Sequence, residues 1–441
     1  MVAMRKVAHR HTVEFKGVGG PKMQQAGLTS LFPMDDLAVM GIAEVISSIF
    51  RIKRRISETV AALLDFHPHI VVTIDSKGFC HRVLTSAREE FVTAAVAPPA
   101  CIQYVAPSIW AYKDGGPQQL AAKWGPVIDH MLCILPFEPP LCRAASIPAT
   151  FVGHPVLEDA WECQSSSVGH PWEIHGDGAA FRLQHGLGHE ARPMVCFLPG
   201  SRRQEIQRLL PTFRRTFMLL REGRPKLTAV VVTIPGPVGD QVTADVAAWS
   251  ISHAVTCTPA TEQERYNAFA ACDVAIAASG TAVMQLLLAR IPTVVAYQAH
   301  WLTEWVARRL AAVRHLALPN ILAGREVVPE AIFADCTPER LAQHASSLLK
   351  SRFERTLQAE NAERILSFLG PPASRSPGPC KQKRIQRSGA ADSSRDMLTE
   401  EDKVIETGVA ECPITLYERP SMVAARAILH CFEQKHYAEV L

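Results

Sequence analysis

Two short segments of this sequence carry the residue types that receive a phosphate. In LPGSR (198–202), Gly200 lets the backbone come close to a ligand, Ser201 can cap a following helix, and Arg202 can fork onto phosphate oxygens. In ASGT (278–281), Ser279, Gly280 and Thr281 offer backbone amides and two hydroxyls. Each segment follows an apolar run and opens a stretch of helical patterning, where free N–H groups and the helix dipole attract an anion. A single turn of this kind is as readily a structural cap as an anion site. Two of them in one β/α block, each after a strand's carboxyl end, fit a pyrophosphate cradle, with two capped helices as the competing reading.

A third candidate is Asp75, which ends the run HIVVTID (69–75). A carboxylate at a strand end can take the proton of an attacking hydroxyl; a cap or turn former is the alternative. His154 in FVGHPV precedes a proline and reads as a turn residue first and a catalyst second. Gly17, Gly19 and Gly20 are too closely set for a dinucleotide fingerprint and, followed by Pro21, read as a turn. The stretch 37–58 joins apolar residues, Met40 and Ile42 among them, to Arg51, Lys53, Arg54 and Arg55. Such a face suits an anionic bilayer, and patterning alone equally fits a solvated basic face beside a core stripe.

The elements that position these residues alternate. Strands are predicted at 12–18, 69–74, 101–105 and 131–135, and again at 194–198, 227–234, 253–257, 273–277 and 292–297; helices fill 36–64, 204–222, 263–271 and 282–290. This β/α alternation predicts an α/β protein of parallel, doubly wound sheets in two Rossmann-like halves. The first half spans 1–159, a Gly-, His- and Ser-rich link 160–192, and the second half 193–369. A Pro-, Ser-, Arg- and Lys-rich insertion over 370–411 reads as disordered, and a short helical pattern returns within 412–441.

Composition bounds the function. At 441 residues, 48% hydrophobic and 20% charged, the chain has room for two domains and a sizeable core. A net charge of +3 gives no global field to recruit nucleic acid. No apolar run reaches the roughly 18 residues needed to span a bilayer. Twelve cysteines without C-x-x-C or zinc spacing suit a reduced compartment. The basic start MVAMRKVAHRHTV is similar to an organelle-targeting segment but has no apolar signal core.

In order along the chain, GVGGPKM (17–23), DDLAVMGIAEV (35–45), YVAPSIWAY (104–112), LPFE (135–138), FVGHP (151–155), LPGSRRQEI (198–206), ASGTAV (278–283) and LPNILAGREVVPE (318–330) resemble lipid A disaccharide synthase. The resemblance covers about 12–346. It implies a GT-B type glycosyltransferase with two facing Rossmann-like domains, the first on the acceptor side and the second binding the UDP-sugar. That family joins UDP-2,3-diacylglucosamine to 2,3-diacylglucosamine 1-phosphate with inversion, releasing UDP, and needs no metal or other cofactor. Carried over, Gly200, Ser201, Arg202, Ser279, Gly280, Thr281, Gln285 and Asn320 fall on the nucleotide side, and Asp75 on the base. The resemblance also raises a peripheral membrane role for 37–58, on the cytoplasmic face of a bacterial inner membrane or in a mitochondrion or plastid. Oligomeric state stays open, a homodimer included.

The sequence departs from the family pattern in three places. The strand and G-E-x-S-G-D loop that precede G-V-G-G-P in the family are not spelled before Gly17, so the first sheet is expected to lack a strand and expose an apolar edge. The family's S-G-T-A-x-x-E ends here in Gln285, which should weaken binding of the ribose hydroxyls by about 1–2 kcal/mol. The basic stretch after the W-A-W/Y segment is thinned to KDGGPQQ (113–119). The alternatives are an inactive paralogue that binds UDP-sugar, and a same-fold relative with a soluble, peptidoglycan- or epimerase-type substrate.

Overall fold

Short runs rich in Val, Ile and Ala fold as the strands of two parallel sheets. The computed structural model describes residues 1–9, 11–37, 42–163, 172–187, 193–249, 254–299, 304–305, 309–371 and 418–440. The insertion expected at 370–411 falls outside them from residue 372 onward.

In the first sheet β1 (Ile70–Ile74), β2 (Ala100–Tyr104), β3 (His130–Cys133) and β4 (Ala149–Phe151) lie in that order, every pair parallel. Ahead of it come α1 (Val2–Val7), α2 (Pro21–Gln25) and α3 (Ile42–Phe66), and between its strands α4 (Lys77–Thr93), α5 (Pro117–Trp124) and α6 (Glu138–Ala144). Ile56 and Val60 of α3 bury against Val83, Ala87 and Phe91 of α4. The helix Pro420–Val440 returns to this sheet, setting Ala424 and Ile428 on Ile102, Leu132 and Val152. The start of the chain also belongs to this unit, since Met4 packs on the same cluster and His11 stands edge-on to Phe432.

The strand expected at 12–18 does not form. Only Gly17 pairs, in an isolated bridge to Ser30, because a strand needs a neighbouring ladder and the described residues offer none there. β1 is accordingly an edge strand among the described residues. Val72 and Ile74, on one face of it, are 38% and 41% exposed, the apolar edge the sequence led us to expect.

In the second sheet β5 (Met194–Leu198), β6 (Thr228–Val232), β7 (Ala254–Cys257), β8 (Val274–Ala278), β9 (Thr293–Tyr297) and β10 (Glu330–Ile332) take the order β10-β9-β8-β5-β6-β7, all parallel. Between the two sheets lie α7 (Glu158–Glu162) and α8 (Gly178–Gln184); α9 (Arg203–Glu222), α10 (Pro237–Ala247), α11 (Glu262–Ala270) and α12 (Thr281–Leu288) cover the second. All five residues of β5, β6 and β8 are buried, as strands covered on both faces require. Alternate residues of β5 feed two cores: Met194, Cys196 and Leu198 one, Val195 and Phe197 the other. Trp172, Ile174 and Phe181, inside the segment read as a link, are buried in the first of these cores, so much of that segment is packed structure.

Candidate functional site

In the second sheet the chain winds from β5 through β6 and β7 to one edge, then returns to lay β8, β9 and β10 on the other side. The direction reverses between β5 and β8, and ligands bind outside strand carboxyl ends at such a switch point. Leu198 pairs with Ala277, so the loops that follow, 199–202 and 279–281, leave adjacent strand ends.

Gly200 adopts φ +106, a backbone conformation that disfavours any side chain, and a Cβ there would also push the Glu205 carboxylate aside. Ser201 does not cap α9: the helix starts at Arg203 with Arg202 at the N-cap and no side-chain cap bond, which puts Ser201 one position too early. The first amides of α9 therefore receive no bond from the N-cap side chain. The Arg202 guanidinium is exposed and loosely paired to Glu205 at 3.6 Å, a contact weak enough for a phosphate to displace. α12 likewise begins at Gly280 without a side-chain cap, and a Cβ built on Gly280 would meet nothing within 4 Å. The Ser279 hydroxyl donates to the Leu316 carbonyl at 3.2 Å, while Thr281 is exposed.

Asp75 follows β1 with φ +53, and Val105 follows β2 with φ +74. Positive φ at a β-branched residue is an outlier, and such strain gathers at functional sites. Gln103, wholly buried on β2, holds both turns: its amide donates to the carbonyls of Asp75 (3.4 Å), Tyr104 (3.1 Å) and Val105 (3.1 Å) and accepts from Thr73 (2.6 Å). With its backbone so held, Asp75 presents an exposed side chain at the strand end. The ammonium of Lys77 stands 5.7 Å from the Tyr112 ring.

Tyr112 belongs to a loop that joins the halves. It bridges to Ala311; Lys113 N–H donates to the Leu310 carbonyl and Ala312 N–H to that of Ala111, each at 2.8 Å. From there the chain runs to Leu316, whose carbonyl holds Ser279. At the root of the loop Trp110 packs edge-on to Phe137 at 5.0 Å, and the Glu138 carboxylate accepts from Ile134 N–H (3.1 Å) and Leu135 N–H (2.9 Å). Burial pushes the Glu138 carboxyl up to about 7 against the pull of its donors. Sequence reading passed over Gln103 and Glu138; the signal was a long polar residue within CIQYV and an acid just past a strand end in LPFE.

A sequence profile of the lipid-A-disaccharide synthetase family matches residues 2–378. A lipid-A-disaccharide synthase of Rhodospirillum centenum is 40% identical over 370 residues, 84% of this chain and 86% of its own. The chain belongs to this family. A second relative, named probable lipid-A-disaccharide synthase, mitochondrial, from Arabidopsis thaliana, is 39% identical over 365 residues, 82% of this chain and 78% of its own. Among solved structures, UDP-GlcNAc 2-epimerase of Neisseria meningitidis bound to UDP-GlcNAc superposes with a TM-score of 0.53 at 10% identity, covering 83% of this chain and 94% of that one. That likeness is one of fold, the GT-B arrangement. Family membership makes the chain a hexosyltransferase of lipid A biosynthesis and does not favour the reading of an inactive sugar-nucleotide binder.

Against the family pattern, Gln285 now has a local explanation. Its amide donates to Asp159 at 2.9 Å and approaches Glu262 at 3.5 Å, and Tyr266 donates to the same Asp159 oxygen at 3.0 Å. Burial raises the Asp159 pKa, while the Gln285 and Tyr266 bonds and nearby acids adjust it. Glu262 also pairs with Arg265 and, across the halves, with Lys22 of the GVGGPKM segment. A glutamate at 285 would set three carboxylates together and remove the donor. Gln285→Glu should therefore lower stability by about 1–3 kcal/mol, with Asp159→Asn restoring part of it. Chemical denaturation of the two single variants and the double variant checks this; a Gln285→Glu chain as stable as the parent would refute the pairing.

Asn320 is wholly buried rather than open to a ligand, which corrects its expected place on the nucleotide. Its oxygen accepts from Val327 N–H (2.7 Å) and Val328 N–H (2.9 Å), and its amide donates to the Val328 carbonyl (2.8 Å). It shapes the loop before β10. Asn320→Ala leaves three buried backbone groups without partners and should cost about 3 kcal/mol, read as a lowered denaturation midpoint. His154 is also structural: buried, with its pKa lowered to about 4, it accepts from Val156 N–H through Nδ1.

On α3 the basic residues divide. Arg51 and Lys53 are exposed beside Ile49 and Phe50, which are 41% and 78% exposed, and Arg54, also exposed, is paired to Glu58 at 2.8 Å. Arg55 is not free for a headgroup: it is paired to both Asp36 and Glu58 and lies over the Phe32 ring. Met40 and the side chain of Ile42 fall outside the described residues. No helix among the described residues is long and apolar enough to cross a membrane.

Proposed function

We propose that this chain transfers the 2,3-diacylglucosamine unit of UDP-2,3-diacylglucosamine to 2,3-diacylglucosamine 1-phosphate, giving a β-1,6-linked disaccharide and UDP. The observation that carries the nucleotide side is the pair of uncapped helix starts, α9 and α12, on adjacent strand ends at the switch point. Asp75 takes the proton from the acceptor's 6-hydroxyl as that oxygen bonds to C1 of the donor sugar. The C1–O bond to the pyrophosphate breaks on the opposite face, so the anomeric centre inverts, and UDP leaves with the electron pair. Its growing charge is met by the first amides of α9 and α12, the Arg202 guanidinium and the Thr281 hydroxyl. Gly200 and Gly280 leave room for that approach, Ser201 and Ser279 flank it, and Gln285 and Asn320 support it from behind.

The acylated substrates place the reaction at a membrane surface. The exposed Ile49, Phe50, Arg51 and Lys53 of α3 suit an anionic bilayer, with the apolar pair among the acyl chains and the cations on headgroups, and Arg54 joins them where a headgroup displaces Glu58. UDP release measured with each lipid substrate alone and with both tests the reading. Release that needs both is expected. Release with donor alone, or with a soluble glucosamine acceptor in place of the lipid, would overturn it.

A further inference from the structure

Glu138 lies at the root of the loop that touches the second half. It is 3% exposed, lies one turn beyond β3, and is held by the amides of Ile134 and Leu135. Beside it stands the Trp110 indole N–H, buried and without an acceptor at hydrogen-bond geometry among the described residues. The carboxylate is nonetheless near enough for that N–H to draw its pKa down. Trp110 heads the loop whose residues 111–113 make both main-chain bonds to 310–312 of the second half, and whose Tyr112 ring faces Lys77 beside Asp75. A buried donor stopped just short of a buried charge is a contact that a small inward movement of the loop completes.

We infer that Glu138 is a positioning residue: as a carboxylate it draws in the Trp110 N–H and fixes the 109–113 loop, which holds the donor half against Asp75. This rests on the hexosyl-transfer reading above and concerns the same site. Protonation turns the second carboxylate oxygen into an O–H, a much weaker acceptor for the indole than the ionised oxygen, so the loop's anchor is loosened. Because the Glu138 pKa is raised to about 7, the anchored form gains as pH rises through that value and is lost below it. Other titratable groups stand around it. Cys133, on β3, is pushed up by its hydrogen bond to Cys142 and by burial, and stays a thiol. Cys142, beside Arg143 on α6, is lowered from its ordinary thiol value by the Cys133 hydrogen bond, so Cys142→Ser is the control that separates its titration from that of Glu138; Tyr112 and Lys113 lie on the loop side.

The test is the pH profile of turnover from pH 5.5 to 8.5 for the full chain, for Glu138→Gln and for Trp110→Phe. Gln keeps an acceptor for the two amides but turns an NH2 group toward the indole; Phe keeps the packing on Phe137 and deletes the donor. The parent is expected to show kcat rising about tenfold through pH 7 with little change in the donor KM. Glu138→Gln and Trp110→Phe should both be flat near the parent's low-pH rate, since each removes one side of the contact. A rise that survives in Glu138→Gln, or a parent profile flat across this range, would overturn the inference while turnover itself upholds the transferase reading. If Glu138→Gln does not fold, a Trp110→Phe profile superimposable on the parent's would overturn it. Absence of turnover in the parent at every pH would instead count against the transferase reading.

Discussion

Replacing Asp75 by Asn should lower turnover by about 10²- to 10⁴-fold, the usual worth of a positioned general base, and leave UDP binding unchanged. The substitution is nearly isosteric and keeps the exposed side chain at the end of β1. The strained turn is held by backbone: Asp75 N–H donates to the Tyr104 carbonyl at 2.9 Å, and the Gln103 amide bonds to the Asp75 carbonyl. Asn also tolerates positive φ, so the fold should stand. The proton acceptor is what is lost. Turnover with saturating substrates and UDP affinity by calorimetry separate the two; an Asp75→Asn variant turning over within threefold of the parent would remove Asp75 from the chemistry.

Arg202→Ala should weaken UDP binding by about 10- to 100-fold, the range of a charged hydrogen bond removed from a phosphate. Little else depends on this side chain: it is exposed, and its one described pairing, to Glu205, is long. Arg202→Lys should recover only part of the affinity, since an ammonium cannot span two oxygens as a guanidinium does. Stability should be unchanged in both. Equal UDP affinity for the parent and Arg202→Ala would move the nucleotide away from the start of α9.

The second sheet was legible in the sequence because its central strands are buried on both faces and so read as unbroken apolar runs. The segment TVEFKGV has the same β-branched character, yet only Gly17 pairs, since strand propensity has no effect without a neighbouring ladder. The two glycine loops after β5 and β8 could be placed from their positions after strands, but their caps could not. A shift of one residue at the start of α9 turned Ser201 from cap to flank. Gln285 looked like a lost charge because its partners, Asp159 and Glu262, lie 126 and 23 residues away in sequence. Asn320 was read as a ligand contact from the motif around it, where burial assigns it to the loop. Gln103 and Glu138 stayed hidden for a related reason: a polar residue in an apolar segment gives no sign, by type alone, of whether it faces solvent, ligand or backbone.

The most direct measurement is mass spectrometry of the lipid products after the purified chain is incubated with UDP-2,3-diacylglucosamine and 2,3-diacylglucosamine 1-phosphate. A tetraacylated disaccharide monophosphate formed in step with UDP is the predicted result. UDP bound tightly with neither disaccharide nor free UDP produced would contradict it, leaving a nucleotide-sugar site without a transferase.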